Sequence, residues 1–169
     1  MKHILDPNEA GIHFGRYLEA LAGYRHRLSP HVAQFAGDAD RFTLNHPKSL
    51  HDAWLQSVVV TETRRTAAAP SAVKVELLLL GQHHDRVIRI SYERVSRYGL
   101  HGQPGERCAA DAFHGDVLTH EVRVADTGHT VHEIAFVTGS VFTVECEDFI
   151  VADEPILESD GEPPAPAPC

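Results

Sequence analysis

The sequence predicts an α+β domain, an antiparallel β-sheet or half-open barrel of about six strands with short N-terminal helices packed on it. Three observations predict it. Apolar residues recur at helical spacing only in the first part of the chain. From Ala53 onward the pattern changes to period two and is rich in β-branched residues. Short clusters of turn residues separate those alternating runs at hairpin spacing. The 169 residues fit a single domain over 1–151, with a helical lead-in at 1–45, the sheet at 46–151, and a tail at 152–169.

In the lead-in, Ile12, Phe14, Tyr17, Leu18, Leu21, Tyr24 and Leu28 predict a helix over 8–28, with Asp6 or Asn8 as its N-cap. Ser29 and Pro30 then read as N-cap and first position of a second short helix, His31 to Ala36, which Gly37 ends. The run DADRFTLNHPKS is rich in turn residues and reads as a loop. AWLQSVVVTET is a strand, followed by the turn TAAAPSA. VKVELLLL and RVIRISYERV flank GQHHD as a hairpin. After Tyr98 the stretch GLHGQPGERCAADAFHGD has no apolar periodicity and reads as a long surface loop open to partner contact.

The last three strands can be placed in register. VLTHEVRV and TVHEIAFV are joined through Asp126-Thr127-Gly128, which puts Gly128 at the left-handed position of a bulged type I turn. Ala125 then faces His129, His120 faces Ile134 and Val122 faces His132. The next hairpin, looping through Val137-Thr138-Gly139, sets Phe136 opposite Ser140 and His132 opposite Val144. One face thereby collects Leu118, His120, Val122, His132, Ile134, Phe136, Phe142, Val144 and Cys146, and belongs to the core. Glu121, Arg123, Glu133, Glu145 and Glu147 fall on the other face. The tail ADEPILESDGEPPAPAPC is acidic, proline-rich and expected to be disordered.

Composition narrows the function classes. Hydrophobic residues make up 43% of the chain, enough for a core without disulfide staples. Three cysteines without a CxxC spacing argue against a disulfide framework and against a zinc ribbon. The N-terminus MKHILDPNEAG has no apolar run suited to a signal peptide or anchor, so a cytoplasmic location and no membrane partner are expected. A formal net charge of −9 argues against nucleic acid as a partner and favours basic proteins. With 13 histidines, much of the charge is expected to change between about pH 5 and 7.

Four acid–histidine pairs stand out: His51-Asp52, His84-Asp85, His120-Glu121 and His132-Glu133. One reading is the metal site of a metal-binding protein or metal-dependent hydrolase, drawing on His51, Asp52, His120, His132 and Cys146, since imidazole with thiolate or carboxylate suits zinc. The competing reading is a pair of core histidines held by hydrogen bonds, because neither HExxH nor HxH spacing is present and adjacent strand residues point to opposite faces. A third reading is a small-molecule pocket under the sheet, lined by these same histidines. There is no GxSxG, GxGxxG or GxxxxGK[ST], so no catalytic residue and no cofactor are expected. Trp54, the single tryptophan, reads as a core anchor or an interface hot spot.

The segments SLHDAWLQSVVV, LLLLGQHHDRVIRISYERVSRYGL, GDVLTHEVRV and HTVHEIAFVTGSVFTVECEDFIV together resemble a family of small bacterial proteins carrying LHDAWLxS, HDRxIxxxYxxVxxY, THE, HEI and ECEDF motifs. The resemblance covers roughly residues 15 to 151. Such proteins are similar to the immunity proteins of polymorphic toxin systems, which bind and block a cognate toxin domain. The resemblance implies a non-enzymatic module whose partner is a basic toxin domain, neutralised by occlusion. The expected contact residues are Trp54 with His101, Glu106, Asp111, His114 and Asp116 of the polar loop.

Overall fold

The computed structural model describes residues 1–6, 9–64, 71–102 and 113–156. Eight strands and two α-helices occur among them: β1 (Leu5–Asp6), β2 (Glu9–Ile12), α1 (Phe14–Tyr24), α2 (Pro30–Gly37), β3 (Trp54–Thr63), β4 (Ala72–Leu80), β5 (Arg86–His101), β6 (Val117–Val124), β7 (Thr130–Phe136) and β8 (Val141–Pro155). The first two strands form a small ribbon, and the other six make one antiparallel sheet in the order β3-β4-β5-β8-β7-β6. The expected fold class is the observed one. The sheet is not closed into a barrel, but its two edge strands meet at one corner. There Asp52 N–H donates to the Val117 carbonyl at 2.9 Å and Val117 N–H donates to the Ala53 carbonyl at 2.9 Å.

The helices pack against this sheet, α1 on β6 and α2 on β8. In α2, Val32, Phe35 and Ala36 are buried, at the spacing that the apolar stripe of PHVAQFAG dictates. Ser29 stands at its N-cap and Pro30 opens it, as the sequence predicts, but the Ser29 hydroxyl donates to Asp148 of β8 at 2.8 Å instead of capping. In α1, Tyr17 and Leu21 are buried. Two tyrosines of this helix tie down the exposed backbone of edge strand β6. Val122 N–H donates to the Tyr17 hydroxyl at 3.4 Å, and the Tyr24 hydroxyl donates to the Val122 carbonyl at 3.0 Å. An uncovered edge would invite pairing with another chain, and these bonds remove that option at one residue.

Four expectations are corrected. Helix α1 starts at Phe14, not at residue 8, because 9–12 pair with β1 and the His13 N–H bonds back to the Ile4 carbonyl at 2.8 Å; its N-cap is His13, not Asp6 or Asn8. Strand β5 runs on to His101 and β8 to Pro155, since Tyr98 to His101 pair with Val141 to Val144, and Arg86 pairs with Pro155. The tail expectation therefore fails for residues 152–155 and otherwise lies outside the described residues from 157 on. Leu118 leaves the core face: the predicted register holds from Val124 to Thr119, then a bulge sets Val117 opposite Phe136 and puts Leu118 out of step. Glu121, placed on the face opposite the core, is fully buried. The backbone N–H groups of Lys2, His3 and Ile4 converge on its carboxylate at 2.8 to 3.2 Å.

Both hairpin turns follow the prediction. Ala125 N–H bonds to the His129 carbonyl at 2.8 Å and Phe136 N–H to that of Ser140 at 2.9 Å. Gly128 and Gly139 take positive φ of 91° and 86°, which a side chain would strain. Among the described residues no helix is long and apolar enough to cross a membrane.

Candidate functional site

The corner where the sheet edges meet organises two sites, one facing outward and one inward. On the outside, Trp54 opens β3 and forms an isolated bridge with Asp116, just before β6. Its indole N–H donates to Asp116 Oδ1 at 2.6 Å, and its ring meets that of His84 edge-on at 4.4 Å. Trp54 is 38% exposed, so it is not the core anchor expected of it; the backbone pairing that closes the corner leaves its ring on the rim. The Asp116 carbonyl accepts from Val137 N–H at 2.9 Å, and Phe113, three residues earlier in the chain, is 56% exposed. His114 packs between Phe113 and Phe136, and its carbonyl accepts the Thr138 hydroxyl at 2.8 Å. Burial lowers the His114 pKa below its ordinary value.

Of the expected contact residues, the structure therefore gathers Trp54, His114 and Asp116. His101, exposed at the end of β5, leads into Gly102, where a Cβ would sit 2.7 Å from the Phe113 ring, so it borders the same patch. Glu106 and Asp111 lie outside the described residues.

On the inside, three polar side chains form a chain through the aromatic core. The Tyr92 hydroxyl lies 2.8 Å from His132 Nδ1, and His132 Nε2 lies 3.3 Å from His120 Nδ1. Aromatic rings enclose both imidazoles: Phe42 stacks on His120 at 4.2 Å, Phe149 stacks on His132 at 5.2 Å, and Phe35 touches both. Burial holds His132 at a pKa of about 3. His120 is pushed well below the usual histidine range by burial, by His132 and by Arg41. The Arg41 main chain weakly opposes that shift, yet no hydrogen bond of ordinary geometry reaches His120 Nε2. Both rings are therefore neutral at physiological pH.

Arg41, from the short helix Ala39–Arg41, closes this core. Its two terminal nitrogens grip Asp153 of β8 at 2.9 and 2.6 Å, and one also donates to the Lys48 carbonyl at 3.1 Å. Between this arginine, His120 and the bulge at Leu118 lies a cavity of about 110 Å³, lined by Ile12, Phe14, Phe42, Thr119, His51 and others. Of the candidate histidines, His51 and His120 line this cavity and His132 does not.

The metal candidates do not gather around this cavity: His51 and His120 line it, whereas Asp52, His132 and Cys146 do not. His51 Nδ1 lies 3.0 Å from Asp52 Oδ1, forming a local pair in the tight turn where Asp52 has φ of 62°. His132 already spends both ring nitrogens on Tyr92 and His120. Cys146 is buried, and burial pushes its thiol up to about 12, away from the thiolate a metal needs. Among the described residues no three His, Cys, Asp or Glu side chains are grouped to hold a metal ion. Sequence reasoning missed Tyr92, Arg41 and Asp153. Arg41 sits in a segment read as loop, and only the long-range pairing of β5 and β8 brings Asp153 to it. No family model, no curated protein and no solved structure matches the chain.

Proposed function

We propose that the chain is a non-enzymatic binding module of the immunity type, which seats a basic toxin domain on the corner around Trp54 and blocks it by occlusion. The observation that carries this reading is the Trp54 ring, held half-exposed by its hydrogen bond to Asp116 and by the edge-on His84 ring. An aromatic ring fixed in place before binding loses little conformational freedom on contact, which is the usual property of a hot spot. The net charge of −9 supplies long-range attraction to a basic partner. Four of the protein's own cations are held in pairs on its surface: Arg89 with Glu76 and Glu154, Lys74 with Glu93, Arg94 with Glu147, and Arg123 with Glu133.

The test is affinity capture of the tagged protein from its host, followed by binding measurements on the partner recovered. A stoichiometric basic domain is expected, with affinity falling at least tenfold for Trp54→Ala and falling with added salt. A partner that binds Trp54→Ala as tightly as the parent protein refutes the assignment of this corner. Recovery of no partner under toxin-expressing conditions refutes the immunity reading itself.

A further inference from the structure

The six-stranded sheet ends in β6 on one side and β3 on the other, and the two edges differ. On β6, Tyr17 and Tyr24 occupy the backbone groups of Val122. On β3, the bridge to Asp116 covers only Trp54, and a bulge follows at Gln56. From Ser57 to Thr63 the strand pairs with β4 on one side, and among the described residues no backbone group pairs with it on the other. Proteins blunt such edges with proline, lysine or a bulge. The open stretch SVVVTET has no proline and no lysine, and Glu62 is its single charge. Five of its seven residues are β-branched. Val59 is 48% exposed and Val60 41%. A β-branched edge of this kind is a template for another strand.

The stretch is complementary to itself. In an antiparallel pair, facing residues both turn their backbone groups inward or both outward, so across a twofold axis each residue meets one an even number of positions away. With the axis at Val60, Ser57 meets Thr63, Val58 meets Glu62, Val59 meets Thr61 and Val60 meets its own copy. That register uses every open residue and sets no like charges opposite each other. Moving the axis to Val59 sets Thr63 against Leu55, behind the bulge, and moving it to Glu62 sets two carboxylates face to face. The faces match as well. Val58 and Val60 pair with Leu77 and Val75 of β4, both fully buried, so they lie on the core face of the sheet. The axis at Val60 carries that apolar face across into the second copy.

We propose that β3 pairs antiparallel with β3 of a second copy of this chain about a twofold axis at Val60, joining the two sheets into one. A single pair of short strands buries less than the standard interface of about 1,600 Å². Two chains of net charge −9 also repel each other, so the dimer is weak and strengthens with salt. A basic partner on the same edge would behave in the opposite way. The pairing does not rest on the toxin-binding reading.

Sedimentation velocity of the full-length protein at concentrations up to about 1 mM reads the association. A monomer–dimer equilibrium is expected, its association constant rising several-fold between about 0.05 and 0.5 M salt. Val60→Lys sets two like charges face to face at the axis and should weaken association at least tenfold, with circular dichroism checking that the variant is folded. In a mixed sample of ¹³C-labelled and unlabelled parent protein, intermolecular NOEs should connect Val60 with Val60 and Val59 with Thr61, which tests the register without any substitution. A monomer under every condition refutes the proposal. So does a dimer that Val60→Lys leaves unchanged in a folded chain, that salt weakens, or whose intermolecular NOEs fall elsewhere.

Discussion

Acidification should destabilise this protein well above the pH at which carboxylates protonate, because of the two core histidines. Burial holds His132 at a pKa of about 3 in the folded chain, whereas an unfolded histidine titrates near 6.5. Between these values the unfolded state binds a proton that the folded state refuses. Stability is therefore complete above about pH 6.5 and falls as the pH drops through the window toward 3. From pH 7 to pH 5 the His132 contribution alone amounts to about 2 kcal/mol. His120, depressed by burial, by His132 and by Arg41, adds a second loss of the same sign. Against a typical total of about 5–15 kcal/mol, the loss is large. Urea melts at pH 7, 6 and 5 should show midpoints falling steadily with an unchanged m-value. The ring resonances of His120 and His132 should stay fixed over the same range while the protein remains folded. A stability that is flat from pH 7 to 5, or a His132 ring that titrates near 6 in the folded protein, would refute the burial argument.

Three further outcomes follow from single contacts. Glu121→Gln should cost about 2 kcal/mol, since three backbone N–H groups lose a charged acceptor, and hydrogen exchange should show the amides of Lys2, His3 and Ile4 losing protection. Asp153→Ala leaves the Arg41 guanidinium buried without its countercharge and should destabilise by about 3 kcal/mol in a urea melt. Asp116→Ala frees the indole of the single tryptophan, so its emission should shift to the red, while stability falls by about 1 kcal/mol.

What the sequence made legible was whatever is encoded locally. The register of β6, β7 and β8 could be read because Gly128 and Gly139 set both turns, and a fixed turn sets every pairing behind it until a bulge intervenes. The placement of His120, Val122, His132 and Val144 followed from that alone. The burial of Glu121 could not be read, because its partners are backbone amides nearly 120 residues away and leave no mark in side-chain pattern. The first helix was overextended for a related reason: Ile12 fits the helical stripe equally well as the end of a strand, and only its pairing with Leu5 decides. Which of its two readings Trp54 takes could not be decided from sequence, because the bridge and hydrogen bond to Asp116 that leave its ring exposed join positions 62 residues apart.

The same corner accounts for the cavity. Had the pairing of β6 continued without a bulge, Leu118 would face Phe136 from the core side and fill the space above His120. The bulge gives that place to Val117, which the backbone bonds to Ala53 hold at the corner, and leaves Leu118 and Thr119 as walls. An apolar wall alone would make such a void a plain packing defect, and filling it would stabilise the protein. Here the space borders a directional chain that runs from Tyr92 through His132 to His120. The buried Tyr92 hydroxyl has one hydrogen-bond partner among the described residues, so it donates to His132 Nδ1, and the neutral imidazole donates from Nε2 to His120 Nδ1. His120→Phe keeps an aromatic ring against Phe35 and Phe42 but takes away the acceptor of His132 Nε2–H, so a urea melt should show a loss of about 1–3 kcal/mol. An unchanged midpoint would refute the direction assigned to the chain.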